Sequence, residues 1–150
     1  MERLLRLAAD NGRSGEVPVA AVVLDPAGLA IGWGTNRRER DGDPLGHAEL
    51  QAIRQATALQ GDWRCNDLTL LVTLEPCPMC AAALVQSRMG RVVFGAHDRK
   101  RGALGSVLDL SRDRSAHHVM TVSGGLLAEA CQQQLQSWFR ARRTGAGSGH

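Results

Sequence analysis

The sequence predicts a three-layer α/β/α domain, a central mixed sheet of five strands flanked by helices. Three observations point there. Segments with apolar residues at helical spacing alternate with short apolar runs bounded by turn residues. Three of those runs are apolar almost throughout, as strands covered on both faces are. At 150 residues the chain has the length of one domain, with no internal repeat and no Pro/Gly/Ser-rich linker to divide it.

Residues 1–10 place Leu4, Leu5, Leu7 and Ala8 at helical spacing and stop at Asn11-Gly12. Residues 17–24 form a β-branched run closed by Asp25-Pro26-Ala27-Gly28, and 29–33 read as the second arm of a hairpin. Residues 35–46 are polar and read as a loop. Residues 47–59 make an amphipathic helix with Leu50, Ile53, Ala56 and Thr57 on one side. A buried strand over 68–74 is stopped by Glu75-Pro76. Residues 77–88 are apolar on nearly every face, the mark of a buried helix. A third buried strand over 91–96 leads into a basic, Gly-punctuated stretch to 106. A last strand over 118–123 and a last helix over 126–142 follow, and the alternation makes the later strands parallel. The domain spans 1–143, with the Gly/Ser-rich stretch 144–150 as a disordered tail.

Composition narrows the classes. No apolar run approaches the ~18 residues of a membrane span. Charges interrupt residues 1–7, unlike a secretory signal, so the expected compartment is the cytoplasm. Basic residues number 18 against 15 acidic, a net +3, and all but Lys100 are Arg. That excess leaves a nucleic-acid partner open without requiring one. Four cysteines in a cytosolic chain serve as metal ligands, catalytic groups or core rather than disulfides. With Tyr absent and two Phe, the core must be aliphatic.

Two short motifs each open a helix: His47-Ala48-Glu49 and Pro76-Cys77-Pro78-Met79-Cys80. Taken singly they are weak, since a His at a helix start is usually a cap, and a CxxC is equally a redox pair, half a zinc ribbon or core. A structural zinc site would show a second CxxC or HxxxH pair. Jointly, one His and two Cys supply three ligands and leave the fourth tetrahedral position open, which is the catalytic pattern. Cys77 and Cys80 sit at i and i+3 on a first helical turn, whose dipole favours thiolates by about 0.3–1 kcal/mol. Glu49 lies about 200° around the helix from His47, so it is a poor fellow ligand and is free to handle protons. Zinc would pull the pKa of its water towards about 7. Glu49 would pass the proton to a ring nitrogen and then to a leaving amine, which is hydrolytic deamination of a heteroaromatic base. The H-x-E and P-C-x-x-C pair is the recognised signature of zinc nucleobase deaminases.

From about residue 16 to residue 143 the chain resembles the bacterial tRNA-specific adenosine deaminases. The resemblance includes Glu16-Val17-Pro18-Val19, Asn36-Arg37-Arg38-Glu39, Asp43-Pro44 and Val72-Thr73-Leu74-Glu75. Its most telling block runs from Ser87 to Ala96 and on through Asp98, Lys100, Gly102 and Gly105-Ser106. It implies a cytidine deaminase-like fold, one zinc ion per subunit held by His47, Cys77 and Cys80, and Glu49 as proton shuttle. The implied reaction turns the wobble adenosine, position 34, into inosine, with an arginine tRNA bearing an ACG anticodon as the expected substrate. The implied partners are a tRNA anticodon stem-loop and a second copy of the chain, with no membrane. By the same resemblance Asn36 bonds the flipped base, the Ala48 backbone amide lies near the attacking oxygen, and Asp98 and Lys100 contact substrate. The other reading of Asn36 is a turn former in a polar loop. Leu45-Gly46, Ala20 and Ala82 depart from the residues usual in that family, and none of them removes a ligand.

Arg91, Arg99, Lys100 and Arg101, with Arg140, Arg142 and Arg143, suit an anticodon loop's phosphates; a solvated surface is the alternative. Phe94, Trp138 and Phe139 read as packing residues, His117 and His118 as a solvent-facing strand edge, and Cys65 and Cys131 as core thiols. Two other functions stay open: deamination of a free base or nucleoside such as guanine or cytosine, and a non-catalytic, zinc-stabilised RNA-binding subunit.

Overall fold

The structure, a computed structural model, describes residues 1–146. Its elements are α1 (Glu2–Arg13), β1 (Ala20–Leu24), β2 (Ala30–Thr35), α2 (Arg38–Asp41), α3 (Ala48–Gln60), β3 (Thr69–Leu74), α4 (Pro78–Gln86), β4 (Arg91–Ala96), β5 (Thr121–Gly124) and α5 (Ala128–Ala146). The five strands form one sheet in the order β2-β1-β3-β4-β5. β1 is antiparallel to β2 and β3, whereas β3, β4 and β5 run parallel. The mixed sheet and its parallel C-terminal half follow the predicted architecture. β2, β3 and β4 therefore all point the same way and deliver the segments after them to one edge of the sheet.

Alternation sorts the strand residues between two layers. Ala21, Val23, Leu70, Val72, Val92 and Phe94 pack with α3 and α4 residues such as Ala52, Ile53, Ala81 and Leu84. Ala20, Val22 and Leu71 pack with Leu4 and Ala8 of α1, and α5 lies against α1, β3 and β4. The helix α3 seats unusually close to β2: a Cβ at Gly34 would overlap the Ala48 carbonyl, and one at Gly32 the Ala52 carbonyl. Those glycines face Ala48, Ala52 and Ala56, a small-residue stripe at i+4 spacing. The stripe sets the position of the helix's N-terminus.

Several boundaries move for identifiable reasons. Residues 17–19 are not strand: Pro18 lacks an N–H, and Val19 closes on the Val17 carbonyl (2.8 Å). The expected loop 35–46 carries the one-turn helix α2, whose Glu39 and Arg40 N–H groups donate to the buried Glu16 carboxylate at 3.2 and 2.6 Å. β5 starts only at Thr121; His118 just before it bonds the Met89 carbonyl (2.8 Å) through Nε2, and His117 is exposed. The pair is thus not a strand edge. α5 runs through Ala146, three residues into the expected tail, and residues 147–150 lie outside the described ones. Of the departures from the family pattern, Ala20 is buried against α1 and Ala82 is exposed on α4. Among the described residues no helix is long and apolar enough to cross a membrane.

Candidate active site

The first protein segments after β2 and β3 meet at the shared strand edge. His47 is the N-cap of α3 in extended backbone (φ −87°, ψ 150°). Cys77 is the N-cap of α4 (φ −71°, ψ 172°), with Pro78 preset for the first helical position. Two helix N-termini therefore face one point, where their partial positive charge favours thiolate. His47 Nδ1 lies 3.6 Å from Cys77 Sγ and 3.4 Å from Cys80 Sγ. All three ligand atoms fall within 4.8 Å of one another. Tetrahedral bonds of about 2.0–2.1 Å to nitrogen and 2.3 Å to sulfur separate N from S by about 3.6 Å. The donor set and its spacing thus fit zinc.

Glu49 stands beside this trio and outside it. Its side chain is buried, and Oε2 accepts from Cys80 Sγ at 3.4 Å. The 200° argument does not hold: His47 precedes the helix in extended backbone, so helical angles do not relate the two residues. Burial pushes the Glu49 carboxyl above its ordinary value. Interaction with Cys80 pulls the Cys77 thiol down to about 3, and the same contact together with burial pushes Cys80 up. Hydrogen bonding to Cys77 raises His47.

The trio forms one end of a cavity of about 260 Å³. Asn36, Ala48 and Asp98 line it. Asn36 is buried, and its Oδ1 accepts the Arg38 N–H (3.0 Å), so the turn-forming reading holds. Its Nδ2 has no partner among the described residues and can still donate into the cavity. Asn11 Nδ2 pins the segment by bonding the Asn36 carbonyl (3.1 Å). The Ala48 N–H, first in its helix, has no intrahelical acceptor. Asp98 Oδ1 is engaged by the Lys100 and Arg101 N–H groups at 3.0 and 3.1 Å.

Lys100 lies apart from these residues. It lines an adjoining hollow of about 490 Å³ with Arg140 and Arg143, joined to the site cavity through Leu74 and Phe139. Arg91 opens β4, five residues before Ala96, so about 17 Å of strand separates it from the site edge. Arg142 is tied down, with one nitrogen on the Gly15 carbonyl (3.1 Å) and its guanidinium 4.5 Å from the Trp138 ring centroid. Phe94 is buried and Trp138 bonds the Gly12 carbonyl, as packing residues do. Phe139 packs edge-on against Trp138 with ring centroids 5.0 Å apart, yet it is 44% exposed and also forms part of the cavity wall. Cys65 and Cys131 are buried, and burial pushes both thiols up.

Two buried carboxylates escaped the sequence reading. Glu75 accepts the N–H groups of Asp98 (3.3 Å), Leu104 (3.1 Å) and Ser106 (3.1 Å), together with the Ser106 hydroxyl. It anchors the loop after β4, just as Glu16 anchors α2 after β2. The two loops are the walls of the cavity. Nothing in a Glu-Pro pair reveals acceptors for amides 23 to 31 residues away.

Residues 1–96 match the family model of the cytidine and deoxycytidylate deaminase zinc-binding region. The chain is 43% identical over 146 residues to a tRNA-specific adenosine deaminase of Haemophilus influenzae, covering 95% of this chain and 84% of that protein. It is 46% identical over 145 residues to a tRNA(Ile)-lysidine synthase of Deinococcus deserti, but spans 27% of that protein. Among solved structures, one from a study of A-to-I editing by tRNA:A34 deaminases at the wobble position of transfer RNA superposes with TM-score 0.85. It shares 36% identity, over 89% of this chain and 96% of that one. A guanine deaminase from Nitrosomonas europaea superposes with TM-score 0.77 at 26% identity, over 91% of this chain and 81% of that one.

Proposed function

The chain belongs to the zinc-binding cytidine and deoxycytidylate deaminase family, and from that premise we propose that it is a tRNA-specific adenosine deaminase. It hydrolyses the wobble adenosine (position 34) of an anticodon to inosine, consuming one water and releasing ammonia. The observation that carries the chemistry is the His47, Cys77 and Cys80 trio with the buried Glu49 carboxylate beside it. The choice of tRNA over a free base is supported by the 43% identity spanning nearly the whole chain, against 26% for the guanine deaminase.

His47, Cys77 and Cys80 would hold the zinc ion, which would supply the Lewis acidity that makes water a nucleophile at neutral pH. Glu49 takes one proton from the attacking water and delivers it to a ring nitrogen of the base. It then takes the proton left on the newly attached oxygen and hands it to the amine, which leaves as ammonia as the carbonyl forms. Its burial suits this, because a raised carboxyl pKa brings the acid and base forms closer in energy near neutrality. Asn36 Nδ2 donates to a ring nitrogen of the flipped base and so orients it. The free Ala48 N–H stabilises the oxygen developing at the attacked carbon. Asp98 meets the ribose side of the nucleotide from the opposite wall, and Lys100 meets RNA in the adjoining hollow.

The expected substrate is an arginine tRNA with an ACG anticodon, met in the cytoplasm by a homodimer. The exposed Ala82 and half-buried Met79 leave small and apolar side chains open on α4, which supports a second copy covering them. The deciding experiment gives zinc-loaded protein that tRNA transcript, with free adenosine, cytidine and guanine in parallel. Inosine at position 34 alone is the expected result. Ammonia from a free base with the tRNA unmodified would overturn the substrate and leave the zinc chemistry standing.

A further inference from the structure

The arginines near the site differ sharply in how they are engaged. Arg37 pairs with Asp41 (2.8 Å), and Arg142 is held by Gly15 and Trp138. Arg38 and Arg101 both line the cavity and are exposed. Neither side chain has an ion-pair, hydrogen-bond or ring partner among the described residues. Two carboxylates that line the same cavity are engaged elsewhere: Asp98 Oδ1 and both Glu75 oxygens take N–H groups of the loop after β4. The two guanidiniums are therefore not neutralised locally.

Their placement follows from topology. Arg38 begins the helix after β2, and Arg101 lies in the loop after β4. In the sheet, β1 and β3 separate those strands, so the two walls stand about 14 Å apart at their roots. The same cavity is lined by Glu49, which is buried, whereas Arg38 and Arg101 are exposed. The two cations therefore stand at the cavity's mouth. A base can descend between them while negative groups on both sides of it stay at the rim.

Resting on the tRNA reading above, we propose that Arg38 and Arg101 are positioning residues that hold the phosphates on the two sides of the edited nucleotide. The pair thereby selects a polynucleotide over a free nucleoside, which has no phosphate to offer either residue. Each bound phosphate also releases counterions, so the contacts carry a salt signature.

The test measures KM for an anticodon stem-loop RNA against salt concentration. Arg38→Ala and Arg101→Ala should each raise KM about tenfold and flatten the log–log salt slope by about 0.7–0.9. Lys at either position should restore most of the slope. Arg6→Ala, an exposed α1 residue away from the cavity, should move neither quantity. Methylphosphonate RNAs, neutral at the 5′ or the 3′ phosphate, should weaken the wild type but cost the matching Arg variant nothing more. Equal KM losses on free adenosine, or RNA and protein losses that multiply in full, would overturn the clamp while leaving the deaminase reading intact. Should the wild type edit no RNA, that reading falls instead. Filter binding of the same RNA then decides the clamp, and equal salt slopes for wild type and double variant would overturn it.

Discussion

Glu49 and Asn36 show how little chemistry separates a working side chain from a structural one at this site. Glu49→Gln keeps the size and removes the ability to carry a proton. Turnover should fall by about 10²–10⁴-fold with the zinc content unchanged, as stopped assays and metal analysis on one preparation would show. Asn36→Asp is the sharper substitution. The carboxylate still accepts the Arg38 N–H, so the loop should hold and the melting temperature should not drop. The donor facing the base is replaced by an acceptor, at about 1–3 kcal/mol, or roughly 5–150-fold in kcat/KM. A variant with full activity would remove Asn36 from substrate recognition. The ligand trio and Glu49 were legible because one His, two Cys and one Glu at those spacings have few other uses. Asn36 by itself left two readings open, since a turn former and a base reader look alike in sequence, and only the family resemblance supplied the second.

At the scale of elements, the site depends on how closely α3 approaches β2. Gly34→Ala would put a methyl group into the Ala48 carbonyl and push the helix start away, at about 1–3 kcal/mol. For a chain of this size that is about 2–4 °C per kcal/mol. Because His47 adjoins Ala48, zinc affinity should fall with it. Calorimetry and metal titration would check both, and an unchanged melting temperature with full zinc would sink the idea. The strands that pack on both faces were readable from apolar runs alone, and β4 matches its expected bounds. The missed element, α2, rests on Glu16, whose carboxylate replaces the contacts that a four-residue helix lacks. Long-range side-chain-to-backbone bonds of this kind leave no periodic trace. Glu75→Ala strands the amides of Asp98, Leu104 and Ser106. Proteolytic cutting within residues 97–106 should accelerate well before global unfolding does.

Across the whole molecule, the metal ligands tie two helices from different parts of the chain to one edge of the sheet. Zinc binding is then also folding energy. A chelator should lower the melting temperature and abolish turnover together, and added zinc should restore both; loss of activity at constant stability would show that the helices hold their places unaided. Light scattering at micromolar concentration should report a dimer. The charge excess of the composition proved a poor guide by itself, because about half of the arginines are engaged by local partners and, among the described residues, only Arg38 and Arg101 line the site cavity.

Glu16 and Glu75 have one further implication. Each grips its loop from within the protein, leaving the cavity walls little room to rearrange around a guest. A rigid mould of that kind cannot pull a stacked base towards itself. The distortion must be carried by the RNA, at a few kcal/mol for a base that starts out paired. Strands already bent and unpaired, like the tip of a hairpin, would then outcompete duplexes of the same sequence before any base is read.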